Sequence, residues 1–282
     1  MYSLIETEIV RRLGSLLLSP RERRRHARLA FHDAGHGYDL FGENPDWIAF
    51  GHALVRPLYE HYFRVVNHGA ENLPGEGGAI LAANHSGMLP IDAAMLYLDV
   101  LRSTEPPRAP RPIVDLFVPL LPVVNTLFAR VGAVSGTRAN VEALLEAGEL
   151  LMIFPEGTKG IGKGWQRRYQ LQRWTVGHAE MALRHQVPVV PVAIIGAEEA
   201  WPQIARIDAH PFGAPWIPVP ATPLPLPARF HIYYGAPLDL HADLPPEAAD
   251  DPAAVEAAAA RVKEAVAGLI ARGLAERQGV FR

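Results

Sequence analysis

Short continuous apolar runs alternate along the chain with longer stretches in which apolar residues recur every three or four positions. Gly78-Ala-Ile-Leu-Ala-Ala83 and Glu149-Leu-Leu-Met-Ile-Phe154 read as buried strands. Val187 to Ile195 reads as a third strand, and its prolines predict an irregular or edge position. Phe230-His-Ile-Tyr-Tyr234 ends the sheet. Helical spacing is found over Leu4–Leu18, from Asp92 through Leu96 and Leu98, over Asn140–Glu146 with Gly148 closing it, and over Trp174–His185. Asp251-Pro252 starts a last helix whose core face carries Val255, Val262, Val266, Leu269 and Ile270. The stripe Trp47, Phe50, Leu54, Leu58, Tyr62, Val65 is helical too, with a bend expected at Pro57. It packs on the sheet or lies on lipid. Residues 211–227 are proline-rich yet apolar, with Phe212, Trp216 and Leu224, so they wrap on the core or dip into lipid rather than form a free linker.

Strands interleaved with helices predict one large α/β domain with terminal additions. The expected division is an N-terminal helical segment with membrane contact (1–65), an α/β core (66–240), and a C-terminal helix packed on that core (241–282). At 282 residues, 49% hydrophobic and 20% charged, the chain has material for a sizeable core. A net charge of −3 gives no reason to expect nucleic acid as a partner. Without cysteine, thiolate nucleophiles, disulfides and cysteine-ligated zinc are excluded. The longest apolar candidate, 113–128, is interrupted by Asp115, Pro119, Pro122 and Asn125, and reads as buried or groove-lining rather than membrane-spanning. The N-terminus lacks a secretory layout. A cytoplasmic protein, peripheral on the inner face of the membrane, is the expectation. The basic cluster Arg21–Arg28 is either a solvated helix face or a contact for anionic lipid. His32 and His36 have the spacing of a helical metal pair, but Gly35 and Gly37 disfavour a helix there, and no metal is expected.

Chemistry concentrates at two strand ends. Asn84-His85 follows the first run, and Asp92 lies seven positions on, after Ser86-Gly-Met-Leu-Pro-Ile91. On one continuous helix His85 and Asp92 would stand about 10 Å apart along the axis, beyond hydrogen-bond reach. The loop Ser86–Leu89 must therefore fold back, with Gly87 supplying a positive φ if the turn needs it and Pro90 setting the helix start. An imidazole held by a carboxylate is an oriented general base. The plainer alternative is a loop histidine and a helix-capping acid. Phe154-Pro-Glu-Gly-Thr158 ends the second run, so two strands of one sheet would aim His85 and Glu156 into one crevice. Only three lysines occur, and two of them, Lys159 and Lys163, fall in the glycine-rich loop that follows.

Taken together these stretches resemble the glycerolipid acyltransferase family, over roughly Tyr62 to Leu240. Asn84-His85 through Asp92 is similar to the family's first motif, Gly132–Arg138 to its second, Phe154-Pro-Glu-Gly157 to its third, and Val187-Pro-Val-Val-Pro191 to its fourth. Tyr234-Gly-Ala-Pro-Leu238 resembles its last strand and turn. The His85-to-Asp92 interval is longer than the family's usual one, and with Gly132–Gly136 it looks more like the monoacylglycerol-acyltransferase-like branch. The resemblance implies a mostly parallel or mixed central sheet flanked by helices. It also implies acyl transfer from an acyl-CoA or acyl carrier protein thioester to a hydroxyl of a lipid acceptor, without a cofactor. His85 would be the general base and Asp92 its partner; Glu156, Gly157 and Thr158 would shape the acceptor site. Arg138 and Lys159 would hold a phosphate. Three rivals stand beside this reading. One is a phosphate loop over Gly157–Gly164, which lacks the Ser or Thr that would follow Lys163. The others are a serine hydrolase built on Ser86 and a non-catalytic lipid-binding relative.

Overall fold

The computed structural model describes residues 2–86, 90–209 and 216–282. Its strands are β1 (Val66–His68), β2 (Ala79–Ala83), β3 (Arg111–Val114), β4 (Val134–Ser135), β5 (Leu150–Ile153), β6 (Val189–Ile195), β7 (Gln203–Asp208), β8 (Trp216–Pro220) and β9 (His231–Tyr234). Seven of them form one sheet in the order β1-β9-β6-β2-β5-β3-β4. β6, β2, β5, β3 and β4 run parallel, whereas β9 is antiparallel to β6 and parallel to β1. The sheet is therefore mixed.

The period of two along each strand sorts side chains between two helical layers. Ile80 and Ala82 of β2 join a cluster with α6 (Arg138–Glu146), α8 (Gly177–His185) and α10 (Pro252–Glu276). Ala79, Leu81 and Ala83 face the opposite cluster, with α4 (Ile91–Ser103), Ile48 of α3 (Pro45–Pro57) and Phe63. Both faces of β2 are covered, which is why its sequence is uniformly apolar. α10 thus forms part of a core layer rather than an appendage.

Two expectations about this architecture are corrected. β6 lies inside the sheet between β9 and β2 and is buried throughout. Its prolines are tolerated because Pro188 precedes the strand, while Pro191 faces the end of the β9 ladder, where its carbonyl still accepts from Gly235 N at 2.9 Å. The 113–128 segment is not buried as a unit: Ile113 and Val114 end β3 in the sheet, and Ile113 packs on the core, but the rest lies at the surface. Pro119 and Pro122 break it into a 3₁₀ turn at Val118–Leu120 and the short α5 (Val124–Arg130), and Leu116, Leu120, Val123 and Leu127 stay exposed. The proline-rich stretch supplies β8, which pairs antiparallel with β7 as a separate ribbon. Its residues 211–215, with Phe212, lie outside the described residues. The expected stripe is not the core face: Trp47, Phe50, Tyr62 and Val65 are half-buried and Leu54 and Leu58 exposed, while Ile48, Tyr59 and Phe63, off the stripe, carry the buried face, and the helix passes through Pro57 into a π turn at Leu58–Tyr62.

At the N-terminus α1 (Tyr2–Leu17) lies along α3, and the basic cluster forms α2 (Pro20–His26), capped by Ser19 and Glu22. α2 docks on α3 through the imidazole pair His26 Nε2 to His52 Nδ1 at 2.8 Å, with Glu22 3.3 Å from the other nitrogen of His52. Burial lowers His26 to about 4 and His52 to about 3, opposed in each case by Glu22. His32 and His36 lie in or beside a loop in which the amides of Gly35, His36 and Gly37 all donate to Asp33, so no helix aligns them.

Because both imidazoles stay neutral when folded and titrate near 6.5 when unfolded, the stability they contribute is complete above about pH 6.5 and is lost as the pH falls toward 4 and below. Urea unfolding at pH 7.5 and at 4.5 will show this loss, and the His26→Gln/His52→Gln double variant will show a shallower one.

Candidate active site

β2 and β5 are neighbours with Ala82 opposite Ile153, so their continuations bring His85 and Glu156 side by side at the carboxyl edge of the sheet. Asn84 fixes the end of β2. Its side-chain amide donates to the Ile194 carbonyl at 3.0 Å while its oxygen accepts from Ile194 N at 2.7 Å, extending the ladder to β6 by one side chain. His85 follows, with Nδ1 2.7 Å from Asp92 Oδ2. That same oxygen accepts from Ser86 N, and Asp92 Oδ1 accepts from Ala93 N, each at 2.8 Å. The Asp92 carboxylate is wholly buried in the first turn of α4, where helix amides favour negative charge. Since a carboxylate accepts, Nδ1 carries the proton and Nε2 is left with its lone pair. Nε2 has no hydrogen-bond partner among the described residues, and the His85 side chain keeps 11% of its surface exposed. The ring leans on Phe154, centroids 4.3 Å apart. The contact between His85 and Asp92 requires the chain between them to reverse; Gly87, Met88 and Leu89, on which the expected turn falls, lie outside the described residues.

Below the histidine a buried polar network holds its main chain. Glu156 Oε1 accepts from His85 N at 3.3 Å, and Oε2 accepts from Gln172 N at 2.7 Å. Lys163 Nζ lies 3.5 Å from Glu156 and 3.0 Å from Glu198, and all three side chains are almost fully buried. Burial pushes Glu198 up to about 7, with Lys163 opposing the shift. Gly157 takes φ +54 and ψ −146, open to glycine alone, and turns the chain into α7 (Thr158–Ile161). Gly160 of that turn lies against the histidine: a Cβ there would stand 2.9 Å from the His85 carbonyl and 3.1 Å from its Cβ.

The arrangement is an oriented imidazole on the end of a sheet. The family model named Acyltransferase matches residues 64–195. Over 258 residues the chain is 37% identical to the uncharacterized protein ML2427 of Mycobacterium leprae, covering 86% of this chain and 69% of that protein. The chain belongs to the glycerolipid acyltransferase family. A bovine protein named DGAT1/2-independent enzyme synthesizing storage lipids is 30% identical over 142 residues, 50% of this chain and 40% of its own length. In fold, the crystal structure of the 1-acyl-sn-glycerophosphate acyltransferase PlsC from Thermotoga maritima superposes with a TM-score of 0.56 at 18% identity. The match covers 94% of this chain and 87% of that one.

Within this acyltransferase the structure sorts the expected site residues. His85 and Asp92 meet. Glu156 does not face the crevice as expected: its side chain has no exposed surface, and both its oxygens are engaged by main-chain amides. Arg138 opens α6 at the surface, its guanidinium 3.0 Å from Glu142 and 2.9 Å from Glu180, so it is an ion-pair residue between helices and not an unpartnered phosphate ligand. Gly157 and Thr158 form the turn over the site, and Lys159 is exposed on it. The phosphate-loop rival fails because Lys163 is committed to two buried carboxylates. A serine hydrolase fails as well, since the Ser86 hydroxyl is buried without a hydrogen-bond partner. Sequence reasoning missed Asn84 as the pin on β6 and Lys163 as the partner of Glu156; the concentration of two of three lysines in one loop was the signal for the second.

Asn84→Ala leaves the amide and carbonyl of Ile194 unpaired inside the sheet, and should cost about 2–4 kcal/mol by denaturant unfolding. Lys163→Met strands two buried carboxylates and should cost about 3–5 kcal/mol, partly restored by adding Glu198→Gln.

Proposed function

We propose that this protein is an O-acyltransferase that moves a fatty acyl group from a thioester to the hydroxyl of a membrane lipid alcohol, with His85 as general base. The observation that carries the proposal is the 2.7 Å contact of His85 Nδ1 with the buried Asp92, which leaves Nε2 as the basic nitrogen. In the reaction the acceptor oxygen attacks the thioester carbonyl carbon while Nε2 takes the hydroxyl proton. Asp92 stabilises the imidazolium so formed. As the tetrahedral intermediate collapses, the carbon–sulfur bond breaks and the proton passes to the departing thiolate. An ester and a free thiol result, with no acyl-enzyme.

The acceptor we favour is a neutral lipid alcohol of the monoacylglycerol class. Arg138, the arginine a phosphorylated acceptor would call on, is engaged by Glu142 and Glu180, and the bovine relative's name refers to storage lipids. Such an acceptor enters from a bilayer. Ile9, Leu13, Leu16 and Leu17 of α1 are exposed, with Leu54 and Leu58 beside them on α3 and the π turn that follows it. Arg11, Arg12, Arg21, Arg23 and Arg24 are exposed nearby in sequence, a composition suited to the anionic inner face of a membrane. No helix among the described residues is long and apolar enough to cross one.

Incubation with an acyl thioester and a panel of neutral and phosphorylated acceptors should release free thiol in step with ester formation. His85→Ala should lower turnover by roughly 10²–10⁴-fold, the share expected of general base catalysis, with the circular dichroism spectrum retained. Asp92→Asn should cause a loss of similar order. Absence of thiol release with every acceptor, or full activity of Asp92→Asn, would contradict the proposal.

A further inference from the structure

The large apolar side chains that this protein leaves exposed are unevenly distributed. The parallel strands β6, β2, β5, β3 and β4 end at one edge of the sheet, and β9 and β1, which run the other way, begin there: Val66 and Ile195 both stand opposite His231. Connections at that edge expose Leu120 and Val123 after β3, Ile204 and Ile207 of the ribbon after β6, Leu224 before β9 and Leu58 before β1. The turns at the opposite edge (69–78, 104–110, 147–149, 186–188 and 235–250) expose, among the described residues, a single large apolar side chain, Leu244 at 37%. Leu120, Val123, Ile204 and Leu224 each leave more than 65% of their surface in solvent. Apolar patches of this extent mark interaction surfaces.

The edge that carries them is the one on which His85 stands. β2 lies between β6 and β5, so in strand order the ribbon falls on one side of His85 and the Leu120 segment on the other. The ribbon also reaches the site through α7. A Cβ on Gly160 would stand 2.9 Å from the His85 carbonyl, and one on Gly162 would stand 2.9 Å from both Arg206 Nη1 and the Trp216 ring. Beyond β9, the Tyr62 hydroxyl donates to the Pro225 carbonyl at 2.5 Å, and Arg56 donates to the Leu17 carbonyl at 3.2 Å. These bonds make the exposed leucines of α1 continuous with the same edge.

Charge identifies what covers it. The connections after β3, β5 and β6 expose Lys159, Arg167, Arg168, Arg173 and Arg206, against Asp115 and Asp208 as their exposed acids among the described residues, in a chain whose net charge is −3. Arg206 lies 5.6 Å over the Trp216 ring and Arg168 lies 4.6 Å over that of Trp165. Indoles and guanidiniums beside exposed isoleucine and leucine suit a membrane–water interface, with the rings at headgroup level and the cations among lipid phosphates. A protein partner would match one such patch, whereas a bilayer meets all of them at once.

From this we infer that the carboxyl edge of the sheet, and not α1 alone, docks on an anionic bilayer, with the β7–β8 ribbon and the Leu116–Leu127 segment entering the interface on either side of His85. The inference rests on the transferase reading for its purpose, since docking by this edge sets the base directly above the lipid that supplies the acceptor.

The chain contains no cysteine, so single substitutions can carry a polarity-sensitive fluorophore. Leu16→Cys, Leu120→Cys, Ile207→Cys and Leu244→Cys are all at exposed positions, and melting temperatures control for folding. With vesicles of phosphatidylcholine and phosphatidylglycerol, emission should shift to the blue at 16, 120 and 207 and stay unchanged at 244. In cosedimentation, Ile204→Ser/Ile207→Ser should lower partitioning about tenfold or more through lost apolar burial, and Arg167→Gln about fivefold through one lost charge. A missing shift at either 120 or 207, with 16 still shifting, would leave α1 as the sole contact and overturn the inference. An equal shift at 244, or equal partitioning into pure phosphatidylcholine, overturns it as well. So does a blue shift that grows with protein concentration without vesicles, which would assign the edge to a second copy of the chain. The predicted shifts with no thiol release from any acceptor would keep the docking edge and sink the transferase reading.

Discussion

The carboxylate of Asp92 is the contact on which the site depends. From one position at the start of α4 it receives the His85 imidazole, the Ser86 amide and the Ala93 amide. Each of those bonds fixes something different: the ring and its tautomer, the departure of the chain from β2, and the first turn of the helix. A buried anion with three donors is satisfied, whereas the same anion with fewer would destabilise the fold. The geometry that makes an oriented base is therefore also the geometry that lets this carboxylate be buried at all.

Around it the sheet supplies stiffness. Asn84 continues β2 toward β6 after backbone pairing stops, and Glu156 continues β5 toward His85 by accepting its amide. Lys163 then lies against Glu156 from beneath and is itself held by Glu198, which ties the turn that carries Lys159 to the support of the histidine.

Much of this was legible in the chain because it depends on local pattern. Continuous apolar runs gave β2, β5 and β6, and the His85-to-Asp92 interval already required a reversal. Other features were not legible. At a strand end the sequence names a glutamate but not the side on which it lies, so Glu156 looked like a ligand for substrate although it supports His85 from within. Arg138 looked equally available until α8 brought Glu180 to it. The position of β6 was obscured by Pro191, whose missing donor falls where the β9 ladder ends. β1 and β4, with three residues and two, are too short to show a period, and the β7–β8 ribbon is paired across a distance that no local pattern reports.

The claim at the centre of this account is that Asp92 holds His85 with the proton on Nδ1 and the lone pair on Nε2. Nitrogen NMR of the protein labelled at its histidines tests it directly. The neutral His85 ring should show a protonated Nδ1, with its proton shifted downfield by the carboxylate, and an unprotonated Nε2; Asp92→Asn should abolish the downfield signal. A neutral His85 carrying its proton on Nε2 would contradict the account.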